Sequence, residues 1–185
     1  QGLSLKNVKI KLYNKNNPQK ILYEDFGEML FTHYGVSGPV IISASSFVTS
    51  YENLNDFRID IDLKPALSYE ELDTRVLKDF EKYKNKELKN SLIDLLPHSL
   101  IPSVIYKLNH ILQNKDGIEN KKCCDITKEE RKVLISILKA YKIALIKTRP
   151  FEEAIITQGG VSIKQIDSKT MESKLVKNLF FAGEV

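Results

Sequence analysis

The first sixty-odd residues alternate between apolar and polar side chains. In LKNVKIKLYN, Val8, Ile10 and Leu12 take every second position and Lys9 and Lys11 lie between them, the period of a strand with one buried face. Asn14 to Pro18 is a cluster of turn formers. Ile21 and Tyr23 resume the alternation, and GEMLFT, Gly27 to Thr32, reads as another short strand; together these pieces suit a meander. Ser37 is placed to cap a helix and Pro39 suits its first turn, where the missing N–H costs nothing. Val40, Ile41, Ala44 and Val48 then recur at helical spacing, which predicts a short helix near 38–50. FRIDIDL returns to strand, with Phe57, Ile59, Ile61 and Leu63 on one face and Arg58, Asp60 and Asp62 on the other.

From Pro65 the period lengthens. Ser68 and Glu71 have capping-box spacing, and Leu72, Val76 and Phe80 follow as one stripe. Glu87 to Leu96 reads as a shorter helix ended by Pro97, and Ile101 to Leu112 as a third, with Val104, Ile105, Leu108 and Ile111 inward. Asn114 to Asp125 is a polar loop; Thr127 and Glu130 repeat the capping box, and Leu134, Ile137, Leu138 and Tyr141 make the fourth stripe. KIALIKT and EEAIIT then read as strands again. The pattern predicts an α+β fold, with a β unit over residues 1–64 and 142–156 and a four-helix subdomain, 65–141, inserted within it.

Composition narrows the function. The 185 residues are 42% hydrophobic and 28% charged, ordinary for a globular chain. No apolar run approaches the roughly 20 residues that span a bilayer, and QGLSLKNV carries neither a signal-peptide pattern nor an initiator Met. The net charge of +4 is spread thinly: 7 basic against 7 acidic residues in 1–64, 14 against 12 in 65–141, and 7 against 5 in 142–185. Such a distribution argues against a nucleic-acid footprint, which needs clustered Lys and Arg. Adjacent Cys123 and Cys124 read as reduced thiols, and His33, His98 and His110 are too scattered for zinc. Asp60 and Asp62 read as a solvated strand face, with no metal implied. Glu152 and Glu153 are adjacent carboxylates that suit solvent or a cap, and nothing marks a catalytic acid–base pair.

Three stretches stand out for their glycines. GEMLFTHYGVSGP places Gly35 and Gly38 around Ser37, just before a helix start; this is either a tight turn or an anion-favouring N-terminus. ITQGGVSIKQID places Thr157, Gly159, Gly160 and Val161 after a strand, either as a turn or where backbone can approach a planar ligand. In LVKNLFFAGEV, the run Leu179 to Ala182 reads as a buried strand that ends in Gly183 and Glu184, an arrangement suited to binding a sugar or polyol hydroxyl. Because the chain stops one residue later, that strand is expected to lack neighbours, as a truncated piece would.

These segments, with QGLSLKNV, TRPFEEAIITQGGVSIKQID and TMESKLVKNLFFAGEV, resemble the BaiN/YhiN-like flavoproteins, often labelled NAD(FAD)-utilising dehydrogenases or aminoacetone oxidase-like FAD-binding proteins, over nearly the whole chain. The resemblance implies an insert that is part β-barrel-like and part helical, set into a split Rossmann-type FAD domain. Residues 157–185 would begin the return to that domain. Thr157, Gly159, Gly160 and Val161 would pass beside the flavin, and Gly183 and Glu184 would lie near its ribityl–phosphate part. His33, Gly35, Ser37 and Gly38 would face the flavin or substrate cleft. It implies a cytoplasmic parent enzyme that uses FAD, leaves NAD(P)H open as electron donor, and acts on a small-molecule substrate. The chain's partner would be the FAD-binding domain of the same polypeptide, with neither nucleic acid nor membrane involved. No GxGxxG occurs in the sequence, so the chain alone is expected to bind FAD weakly or not at all and to be inactive. The alternative is a free-standing protein-interaction module.

Overall fold

The computed structural model describes residues 2–51, 53–113, 117–156 and 159–183. By compactness the chain forms two units, Gln1–Thr148 and Arg149–Val185.

The first unit is built on five antiparallel strands: β1 (Leu3–Asn14), β2 (Asn17–Thr32), β3 (Gly35–Ser37), β4 (Phe57–Asp62) and β5 (Tyr141–Ala144), in the spatial order β3-β2-β1-β4-β5. The alternation in β1 and β4 puts Val8, Ile10, Leu12, Phe57, Ile59 and Ile61 on one buried face. The two pieces read separately around Tyr23 and Gly27–Thr32 are one 16-residue strand, because β1 offers it a partner along its whole length. Register shifts between Leu5 and Val8 and around Tyr13 bulge this hairpin, and bulges add local twist. The sheet curls into a half-barrel over the core.

Helix α1 (Pro39–Ser45) lies against β2. The contact is close: a Cβ on Gly27 would stand 2.8 Å from Val40 Cγ1. Ser37 does not cap this helix. It is the last residue of β3, and the N-cap is Gly38, at φ 98° and ψ 169° with no side-chain cap bond. Strand pairing with Leu30 holds Ser37 in the sheet, and the sharp exit to the helix needs a backbone conformation that only glycine takes readily.

Four α-helices form the second layer: α2 (Tyr69–Lys82), α3 (Leu88–Ser91), α4 (Ile101–Leu112) and α5 (Lys128–Lys139). Both capping boxes form. Ser68 accepts from Glu71 N–H while Glu71 accepts from Ser68 N–H, and Thr127 and Glu130 do the same. Ser68→Ala should therefore cost about 1 kcal/mol in urea unfolding, with Ser68→Asp nearly neutral. Glu87 to Leu96 holds less α-helix than its apolar pattern predicts: α3 is one turn, followed by a 3-10 turn at Leu92–Asp94. One continuous core joins the inner face of the sheet to Leu72, Val104, Leu108, Leu134 and Leu138 of the helices. Fully burying side chains of this size contributes about 1.5–3 kcal/mol each. Arg131 ties α5 to Asp73 of α2, with Nε 2.6 Å from Oδ1. Lys139 ties α5 to the end of β4, with Nζ 2.6 Å from Asp62 Oδ2.

The second unit has little regular structure among its described residues. Short 3-10 turns occur at Phe151–Glu153 and Ile163–Gln165, and isolated bridges join Ile166 to Ser173 and Glu172 to Phe180. The strand read in EEAIIT is absent over its described part; Glu152 and Glu153 lie in a 3-10 turn, and Arg149 forms an ion pair with Glu153. The buried strand read at Leu179–Ala182 is also not found, since Leu179 and Phe180 are 42% and 58% exposed. A strand buried on both faces needs layers on both sides, and this unit supplies neither.

Candidate functional site

The turn that joins β2 to β3 and the start of α4 border a cleft of about 300 Å³. Its walls are Leu3, Phe31, Thr32 and His33 from β1, β2 and the turn, Ser99, Leu100 and Ser103 around the start of α4, and Tyr141 at the start of β5. His33 and Tyr34 are the two turn residues, so pairing between β2 and β3 fixes where the imidazole is presented. The two rings lie 3.7 Å apart, centroid to centroid. Thr32 Oγ1 holds the turn, donating to Gly35 O and accepting from Tyr34 N–H, both at 3.3 Å. Across the cleft, Ser103 Oγ and Tyr141 OH share a short hydrogen bond of 2.5 Å, which either can donate. Tyr141 is buried and stacks edge-on against Phe31 at 6.2 Å. The arrangement sets two linked hydroxyls and an imidazole around an apolar floor. Such groups can hydrogen-bond a carbonyl and hold a proton.

Of the sequence-derived residues, His33 lines this cleft directly. Gly35, Ser37 and Gly38 follow it in β3 and at the entry to α1, where they shape the loop. Ser99, Ser103 and Tyr141 were not anticipated. Ser103 and Tyr141 stand 38 residues apart, and the one local sign was a serine near the start of an apolar helix.

The remaining sequence-derived residues belong to the second unit. Gly159, Gly160 and Gly183 are exposed and Val161 is half-buried; Thr157 and Glu184 lie outside the described residues. A Cβ added at Gly159 or Gly183 meets nothing within 4 Å. These two glycines therefore press against no neighbouring atom among the described residues. Among the described residues no cluster of three His, Cys, Asp or Glu side chains could hold a metal. Cys123 is buried and Cys124 exposed, both as free thiols, and burial pushes the Cys123 thiol up from its ordinary value. Among the described residues no helix is long and apolar enough to cross a membrane.

A curled antiparallel sheet backed by capped helices, with a small polar-rimmed cleft at one end, defines a mixed barrel-and-helix domain. Residues 1–156 match the family described as the HI0933-like protein barrel and H2TH domain, and the chain belongs to that flavoprotein oxidoreductase family. It is 31% identical over 160 residues to a ribosomal RNA dihydrouridine synthase of Haemophilus influenzae, covering 86% of this chain and 36% of that protein. It is 30% identical over 157 residues to the ribosomal RNA dihydrouridine synthase of Escherichia coli, covering 85% and 35%. A 3-dehydro-bile acid delta(4,6)-reductase of Clostridium scindens is 26% identical over 169 residues, covering 90% and 39%. The chain thus spans a little over a third of the length of these curated relatives.

Proposed function

We propose that this chain is the substrate-cleft domain of an FAD-dependent oxidoreductase, and that the enzyme reduces a carbon–carbon double bond conjugated to a carbonyl. The observation that carries the reading is the His33 cleft with its Ser103–Tyr141 hydroxyl pair. The relatives support it through their names. One activity makes dihydrouridine and the other removes Δ4,6 unsaturation from a 3-dehydro compound. Each saturates a double bond, which takes a hydride and a proton. Hydride chemistry belongs to the cofactor. The part assigned to this chain is to hold the substrate carbonyl, exclude water and supply the proton. His33 and the hydroxyl pair are the groups suited to it.

The flavin's pyrophosphate cradle belongs, on this reading, to a separate FAD-binding domain of the same polypeptide, with Thr157, Gly159, Gly160, Val161, Gly183 and Glu184 leading into it. NAD(P)H is the electron donor. The exposed apolar side chains of the second unit, Ile155, Ile163, Leu175 and Phe180 among them, suit burial against that domain.

The test uses the complete gene product. Its reduced flavin should be reoxidised without oxygen by uridine-containing ribosomal RNA or by a 3-oxo steroid with conjugated double bonds. His33→Ala and Tyr141→Phe should slow that step about 10²–10⁴-fold, the usual worth of a positioned proton donor, with flavin content unchanged. Reoxidation by neither substrate would sink the proposal, as would variants that react at the parent rate.

A further inference from the structure

A second opening is linked to the cleft through Lys107, which lines it and whose Nζ lies over the ring of Tyr141. It is a groove of about 540 Å³ between α4 and the β4–β5 edge, and four cations line it: Lys15, Arg58, Lys107 and Lys142. They come from four separate places in the chain, which is why the charge looks diffuse along the sequence. Two carboxylates stand nearby. Asp56 is taken by Lys15 at 2.9 Å, and Asp60 accepts the Tyr13 hydroxyl at 2.9 Å, between Lys11 and Lys142 in strand register. The balance is positive. Lys107 is half-buried with its Nζ over the Tyr141 ring at 4.6 Å, donates to Lys142 O at 2.7 Å, and has no carboxylate partner among the described residues. Burial lowers its pKa, a penalty that an incoming anion would relieve. Among the described residues Arg58 donates through Nη1, to the Asn55 and Phe57 carbonyls, which leaves Nε and Nη2 for a ligand. Lys142 is exposed and makes no ion pair among the described residues.

Helix α4 connects this groove to the cleft. Ser103, in the cleft, and Lys107, in the groove, are one turn apart. Tyr106 and His110 complete the same face at helical spacing, with Tyr106 71% exposed and its ring 6.5 Å from that of His110. An uncovered aromatic ring on the helix that also carries Lys107 suits single-stranded nucleic acid, which stacks bases on such rings and sets phosphates on nearby charges.

We infer that the α4 face and the β4–β5 groove bind the backbone of single-stranded RNA, so that one base reaches the neighbouring cleft while flanking phosphates rest on Arg58, Lys107 and Lys142. The choice of RNA over another polyanion rests on the proposed double-bond reduction and on the two relatives named for ribosomal RNA. The groove itself rests on geometry.

The experiment is fluorescence anisotropy of a labelled single-stranded uridine-rich RNA with the 185-residue chain, across a salt series. Arg58→Gln with Lys142→Gln should weaken binding at least tenfold. The pair should also flatten the dependence of log affinity on log salt by about 1.4, two phosphate contacts at about 0.7 each. Tyr106→Ala should weaken binding about tenfold with little change in slope. Lys132→Gln, an exposed lysine on α5, is the control and should change neither. These substitutions sit on exposed or half-exposed side chains, and circular dichroism checks the fold. Equal losses from Lys132→Gln and from the groove pair would overturn the inference, as would equal affinity for duplex DNA. Binding by the chain asks nothing of the flavin. No RNA binding beside an intact reductase activity would remove the groove assignment alone, and RNA binding without double-bond reduction would remove the activity alone.

Discussion

Gly38→Ala should cost about 4 kcal/mol of folding stability, a large share of the roughly 5–15 kcal/mol a domain has. Gly38 sits at φ 98° and ψ 169°, where a side chain costs about 1–3 kcal/mol in strain. An alanine Cβ would stand 2.9 Å from Met29 Cα, 3.1 Å from Leu30 N and 3.2 Å from Glu28 O. All three are backbone atoms of β2, so no side-chain rotation relieves the contact; the strand and α1 must part, adding about 1–3 kcal/mol of overpacking. Gly35→Ala is the matched comparison. Its Cβ would meet nothing within 4 Å, so it should cost about 1 kcal/mol, from backbone conformation alone. Urea midpoints measure both. Equal small losses would mean that the turn relaxes without strain.

Lys139→Ala should cost about 3–5 kcal/mol. The Lys139 side chain is 10% exposed, and its ammonium makes three contacts: Asp62 Oδ2 at 2.6 Å, Leu67 O at 2.6 Å and Lys64 O at 3.1 Å. Those three use all its donors. Removing it leaves a mostly buried carboxylate and two carbonyls without this partner, at the point where α5 meets the end of β4. Replacing both charges, Asp62→Asn with Lys139→Met, should recover part of the loss, because an unmatched ion costs more than an absent pair. A double-mutant cycle that showed no coupling would mean water had replaced the ammonium.

The sequence is most legible where one interaction decides. The alternation of β1 and β4 and the two capping boxes appear in the structure as read, since each depends on neighbours within four residues. The length of β2 was hidden, because its middle is exposed and only pairing with β1 keeps it extended. Ser37 looked like a cap by residue type, but strand pairing claimed it first. Of the cleft, His33 was visible as part of a glycine-flanked loop; Ser103 and Tyr141 meet only because the tertiary fold brings α4 within hydrogen-bonding reach of β5. Strand character in EEAIIT and LFFA is real as propensity, yet over the described residues it yields no more than the isolated bridge of Glu172 with Phe180.

Where the flavin is held decides what this chain does. The direct measurement is titration of FAD into the purified 185-residue chain, followed by flavin fluorescence and by the colour of protein recovered after gel filtration. If the chain supplies one wall of a cleft whose pyrophosphate cradle belongs to another domain, fluorescence stays that of free FAD at micromolar concentrations and the protein emerges colourless. A yellow protein with one FAD per chain would contradict it.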